Sequence, residues 1–193
     1  MAAALFKRDT ASADRRESGC LDREILRMQE FWGFAGRCYA RPGVAPCCVA
    51  LQDEHGVNVM LLLYSCWRAA GGECVRGAAL HRAMARLELI ERHLLRPLRA
   101  ARRATRRASE ALGSPALGAC ADRLVQAELA AERCQAALLA APAPAPAGRA
   151  QHGTGSARDY ATESLTACLV ACGVAPARAR IEGVRLAALA LDC

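Results

Sequence analysis

Asn58-Val59-Met60-Leu61-Leu62-Leu63-Tyr64-Ser65-Cys66-Trp67-Arg68-Ala69-Ala70, closed by Gly71-Gly72, is apolar almost all the way round at helical spacing. A surface helix keeps one polar face, so a helix without one belongs at the centre of a bundle, covered on every side. Asn58 suits the cap at its start and the glycine pair its end. The first half, Val57 to Tyr64, can also be read as a buried strand. Alternation is absent, however, and the apolar run continues to Trp67, which favours the helix.

The neighbours of this central helix follow from periodicity. Upstream, Leu21, Ile25, Met28, Trp32, Ala35 and Tyr39 recur at steps of four and three behind Ser18, predicting an amphipathic helix that Arg41-Pro42-Gly43 stops. Pro46 opens a short second helix through Cys47, Cys48 and Leu51 to Glu54, with Gly56 just past its end. Downstream, a long fourth helix is predicted from about Gly77 to Leu112. Its inward residues are Leu80, Met84, Leu87, Leu94, Leu98, Ala101 and Ala108, and Pro97 kinks or splits it. Ser114-Pro115 then caps and opens a fifth, whose stripe is Leu117, Ala121, Leu124, Ala131, Cys134 and Leu138. The short connection makes helices four and five antiparallel neighbours.

The fold class read from this pattern is all-α: a compact bundle of about five helices plus a C-terminal helical pair. Residues 1–17 show no periodicity and are expected to be a flexible tail, and 18–140 form the bundle. An Ala/Pro/Gly-rich linker is expected over 141–157, and a helical segment, 158–193, docked on the bundle. Within that last segment Gly173 separates Asp159–Cys172 from Ala177–Leu191.

Composition bounds the function classes. At 53% hydrophobic and 4% aromatic residues over 193 positions, the chain is neither wholly disordered nor rich enough in bulky side chains for a large β-sandwich. No apolar run approaches the ~18 residues of a membrane span. Eleven cysteines would suit a secreted disulfide scaffold. Their odd number, and a start too short in apolar residues before Lys7 and Arg8 to serve as an export signal, point instead to the cytoplasm.

Charge is concentrated in one segment. Ten arginines face only Glu88 and Glu91 between Arg76 and Arg107, a net charge of +8, whereas the rest of the chain carries 16 basic and 17 acidic residues. Arg92, Arg96, Arg99, Arg103 and Arg106 are spaced 4, 3, 4, 3, so on an unbroken helix they form one stripe opposite the leucines, flanked by Arg102 and Arg107. Such a stripe is either a solvated face or a surface for phosphates, an acidic protein or another polyanion. The absence of aromatic residues among the arginines weakens single-strand binding by stacking.

Catalytic signals are sparse. Gln52-Asp53-Glu54-His55 places carboxylates beside an imidazole, near Arg37 and Arg41, so Asp53, Glu54 and His55 are the candidates for acid–base chemistry. The same residues also serve as an ordinary helix end before Gly56. Cys47-Cys48 and Cys168-x3-Cys172 lack metal-site spacing, and no phosphate-cradling glycine loop occurs, so no metal and no cofactor are expected.

Taken together, Phe31-Trp32-Gly33-Phe34, Tyr39-Ala40-Arg41-Pro42-Gly43-Val44, Leu51-Gln52-Asp53, Leu61-Leu62-Leu63, Trp67 and Leu94-Leu95-Arg96-Pro97-Leu98-Arg99 resemble an uncharacterised family of short, all-helical proteobacterial proteins, a domain of unknown function. Through Gln126-Ala127-Glu128-Leu129 the resemblance covers roughly residues 24–140; Ile90 and the Ala-Pro segment depart from it. It implies a helical fold and a bacterial cytosolic origin, and no reaction. The expectation is therefore a non-catalytic cytoplasmic interaction or adaptor protein with a protein partner. The alternatives are RNA or DNA binding through residues 92–107 and a small-molecule enzyme using Asp53, Glu54 and His55.

Overall fold

The computed structural model describes residues 22–141 and 155–191. The expected tail, 1–17, and most of the expected linker lie outside them. Among the described residues the chain is helical throughout: α1 (22–39), α2 (Val44–His55), α3 (Val59–Ala70), α4 (Gly77–Ile90), α5 (Arg96–Leu112), α6 (Pro115–Ala140), α7 (Ala157–Ala171) and α8 (Pro176–Leu191). The strand reading of Val57–Tyr64 is therefore set aside.

Local chemistry places the boundaries. Asn58 Oδ1 accepts from the Leu61 N–H at 3.1 Å and caps α3, and Ser114 caps α6 ahead of Pro115. A reciprocal capping box between Ser156 and Asp159 opens α7, two residues before the expected start. Gly56 ends α2 in the left-handed region, φ 66°, where its N–H donates to the Gln52 carbonyl.

Central α3 is buried from Met60 through Cys66 and again at Ala69, with the Ser65 hydroxyl donating to the Leu61 carbonyl at 2.9 Å. Around it lie Phe31, Ala35 and Cys38 of α1, Val44, Cys48 and Leu51 of α2, and Leu80 and Leu87 of α4. Leu139 of α6, Leu165 and Leu169 of α7 and Leu186 of α8 complete the same apolar cluster. Ser164 of α7 accepts from the Val75 N–H at 2.8 Å, which ties the C-terminal helices to the loop after α3.

Two stripes differ from the sequence reading by one residue. In α1 the fully buried aromatic is Phe31, while Trp32 lies at the edge and Ile25 and Tyr39 are exposed. In the second half of α6, Cys134 and Leu138 face outward, and Gln135, Ala136 and Leu139 are inside. Polar residues at inward positions explain the second error, because a search for apolar periodicity passes over Glu128 and Gln135.

A third difference concerns Pro97. The proline neither ends nor splits the helix: α4 continues into α5 through a π-helical turn, Glu91–Leu95, in which the Arg96 N–H donates to the Glu91 carbonyl five residues back. Proline at 97 has no N–H and crowds the carbonyl of His93, four residues earlier, and a widened turn accommodates both. One extra residue in the turn advances everything after it by about 100° around the axis. Leu95 is consequently the fully buried leucine, while Leu94, the expected inward residue, is 43% exposed.

Helices α7 and α8 meet at Gly183, where an added Cβ would lie 2.7 Å from Thr166 Oγ1 and 3.2 Å from the Thr162 carbonyl. Gly183→Val is expected to cost about 1–3 kcal/mol by overpacking. Gly36→Ala, where α1 leaves open space around the glycine, should stabilise by about 0.5–1 kcal/mol through helix propensity alone. Urea denaturation of the two variants checks both signs.

Candidate functional site

The π turn decides which arginines meet α6. Past Leu95, the residues on its face of α5 are Arg99, Arg102 and Arg106, and α6 runs antiparallel beside them. Arg99 Nη2 lies 3.3 Å from Glu132 Oε1, Arg102 Nε 2.6 Å from Glu128 Oε1, and Arg106 Nη2 3.1 Å from Asp122 Oδ1. The single stripe expected opposite the leucines is thus divided. Arg99 and Arg102 are partly buried within the bundle, whereas Arg92, Arg96, Arg103 and Arg107 point outward. Arg96 is 64% exposed and 3.9 Å from Glu91; Arg92, Arg103 and Arg107 have no acid partner among the described residues.

Glu91, at the head of the π turn, joins three elements. Its Oε2 accepts from Asn58 Nδ2 at 2.9 Å and, more weakly, from Gln135 Nε2 at 3.5 Å, while Oε1 lies 3.1 Å from Arg99 Nη1. Asn58 therefore works in two directions, capping α3 through its oxygen and holding the π turn through its nitrogen.

Between α1, α3, α5 and α6 these groups border a cavity of about 420 Å³. One wall is apolar, formed by Trp32, Ala35, Met60, Leu63 and Leu129; the opposite wall carries Arg99, Arg102, Glu128, Glu132 and Gln135. Gly36, Tyr39 and Leu129, all exposed, mark its mouth. Gln135 is 0% exposed and its Oε1 has no hydrogen-bond partner, a state that costs about 1–3 kcal/mol when nothing fills it. A second cavity, about 350 Å³, adjoins the first through Gln52 and Arg99 and is lined by Asp53, Glu91, Arg96 and Arg103.

Burial pushes the Glu132 carboxyl above the usual carboxylate range, and Glu128 and Glu91 add to the push against the opposing pull of Arg99. A carboxyl raised in the folded state binds its proton more tightly there than in the unfolded chain. Its contribution to stability is therefore full at low pH and is lost as pH rises through the folded value. Glu132→Gln removes that loss. The variant should gain on the wild type as pH rises from 4 to 8, with the gain lost again as pH falls below the carboxylate range. Melting curves at pH 4 and pH 8 test the sign.

The acid–histidine group is brought together only in part. Asp53 faces the second cavity, Glu54 pairs with Arg178 of α8 at 2.5 Å, and the His55 ring lies 3.6 Å from Glu54 with its Nε2 lacking a hydrogen bond. Neither Arg37 nor Arg41 lines either cavity. The cavity residues Glu128, Glu132 and Gln135 escaped sequence reasoning, although the acids of α6 run in the reverse order of the inward arginines of α5. Among the described residues no cluster of three or more His, Cys, Asp or Glu side chains could hold a metal ion, and no helix is long and apolar enough to cross a membrane. The nine cysteines there are free thiols.

A family model described as "Protein of unknown function (DUF2390)" matches residues 30–139, from the middle of α1 to the end of α6, and so contains both cavities and every arginine of the divided stripe. No curated protein and no solved structure matches the chain.

Proposed function

The chain belongs to the DUF2390 family of proteins of unknown function, and we propose that it is a non-catalytic cytoplasmic interaction protein that takes an acidic protein surface on the outer side of α5. The observation that carries this reading is the division of the arginines. Arg99 and Arg102 are paired within the bundle and Arg106 with Asp122 at its surface, and Arg92, Arg96, Arg103 and Arg107 are left facing out without strong acid partners among the described residues. Exposed Leu89, Leu94 and Leu112 accompany them along the same helical run. Arginine beside apolar side chains is the composition of a protein interface, whereas phosphate binding calls for cations alone or for cations with stacking aromatics. Free thiols in the described residues favour a reducing compartment.

Nucleic-acid binding through residues 92–107 is the competing reading, and the pairing of three of its seven arginines with acids of α6 weakens it. Four phosphate contacts would give a salt slope of about −3.6 on duplex DNA, at about −0.9 for each. The enzyme reading has Glu54 beside His55, but Glu54 is also held by Arg178 and Asp53 alone of the three lines a cavity.

Fluorescence anisotropy with a labelled helical peptide carrying glutamates at heptad spacing between leucines, and in parallel with a labelled 20-bp duplex, tests the proposal. Peptide binding that falls at least tenfold when Arg96, Arg103 and Arg107 become Glu supports it. Duplex binding of equal or greater strength, lost in the same variant, overturns it in favour of nucleic acid; unchanged peptide binding in the variant also overturns it.

A further inference from the structure

The cavity between α1, α3, α5 and α6 plays no part in that surface reading. We infer that it is a binding site for a small amphipathic amine, the ammonium group seated against Gln135 and the glutamates of α6 and the apolar body against Trp32, Met60 and Leu63.

Three observations lead there. First, the fully buried Gln135 presents an amide oxygen with no donor, on the polar wall of a cavity with a solvent-exposed mouth. Such a group asks for something that donates. Second, acceptors exceed donors around it. The two guanidinium groups on the wall, Arg99 and Arg102, are already directed at its two carboxylates, Glu132 and Glu128, and Arg99 is shared with Glu91 behind it. The remaining oxygens of these two carboxylates, Glu128 Oε2 and Glu132 Oε2, have no hydrogen bond among the described residues, so the wall is balanced in charge but rich in free acceptors. The three N–H donors of an ammonium group supply what these acceptors lack, whereas a carboxylate or phosphate would bring only more acceptors. Third, the facing wall is apolar, and about 420 Å³ holds roughly a dozen non-hydrogen atoms at about 30 Å³ of liquid volume for each water-sized group. A polar end opposite an apolar wall is the usual build of a small-molecule site.

The test uses three probes of one shape, 3-phenylpropylamine, 3-phenylpropan-1-ol and 3-phenylpropionate. Binding to the whole chain is followed by calorimetry and by the emission of Trp32, which Trp67→Phe leaves as the sole tryptophan. Saturable binding in the order amine, alcohol, carboxylate, with about tenfold between the first two, is the expected result. Gln135→Leu should weaken the amine about tenfold and leave the alcohol closer to its wild-type affinity. Leu129→Phe, which narrows the mouth without touching the polar wall, should weaken all three, so a folding failure of the Gln135 variant does not remove the test. Glutamate substitutions at Arg96, Arg103 and Arg107 should change none of these affinities, which separates this site from the outer surface of α5. No saturable response to the amine, carboxylate binding as tight as the amine, or an amine affinity indifferent to both cavity variants would overturn the inference.

Discussion

Phe31→Ala should cost the fold about 3–5 kcal/mol, the largest effect expected of any single side-chain truncation in α1. Phe31 is 0% exposed. Its ring meets Tyr64 edge-on at 5.7 Å between centroids and Trp67 at 5.2 Å, so truncation removes apolar burial and two aromatic contacts and leaves a cavity beside α3. Domains of this size hold about 5–15 kcal/mol in total, so about a fifth or more of the stability goes with one ring. At about 2–4 °C per kcal/mol the melting temperature should fall by roughly 10 °C. Trp32→Ala is the informative comparison. Tryptophan is the larger side chain and stands in the stripe that periodicity selects, but it lies at the edge of the core with Arg133 over its ring at 5.3 Å. Its truncation should cost less than that of Phe31. The reverse order in parallel thermal melts would show that the sequence stripe, with Trp32 at its centre, describes the core better than the structure does.

How far the fold was legible follows from the same pair of residues. Central α3 was readable because every side of it is apolar, so an error of one position changes nothing about where it lies. Caps at Asn58 and Ser114 were readable because a short polar side chain before an apolar run has one common use. For amphipathic helices the face depends on register. In α1 two adjacent aromatics, Phe31 and Trp32, fit alternative stripes equally well, and only contact with Tyr64 and Trp67 selects between them. The π turn was not readable at all. Pro97 announced a disturbance but not its form, and kinking, splitting and widening satisfy the lost N–H equally well. From that unreadable turn the candidate site follows. With α-helical register kept from Arg92 to Arg106 the arginines form one outward stripe; with one residue inserted, Arg99, Arg102 and Arg106 turn toward α6. The charged groups then line a cavity that apolar periodicity could not indicate, because its inward residues, Glu128 and Gln135, are polar.

The strongest consequence of that rotation is expected at Arg102. Glu128 is 8% exposed, and Arg102 Nε, 2.6 Å from its Oε1, is the cation that faces it. Removing one partner of a buried pair leaves the other charge without compensation, at a cost of about 3–5 kcal/mol. Arg102→Ala should therefore destabilise by that amount. Arg107→Ala, one turn and a little further along the same helix but outward, should stay within about 0.5 kcal/mol of the wild type. The sequence alone gives no reason to distinguish them, since both flank the same supposed stripe. The double variant Arg102→Leu/Glu128→Leu separates burial of a charge from loss of packing. With both charged groups replaced by apolar side chains, most of the stability should return, and the variant should equal or exceed the wild type. If Arg102→Ala and Arg107→Ala unfold at the same urea concentration, Arg102 is solvated like its neighbour, the inserted residue of the π turn does not rotate α5 toward α6, and the polar wall of the cavity loses its cations. If instead the single variant is costly and the double variant equally so, the loss belongs to packing between α5 and α6, and the ion pair contributes little beyond the methylene groups that carry it.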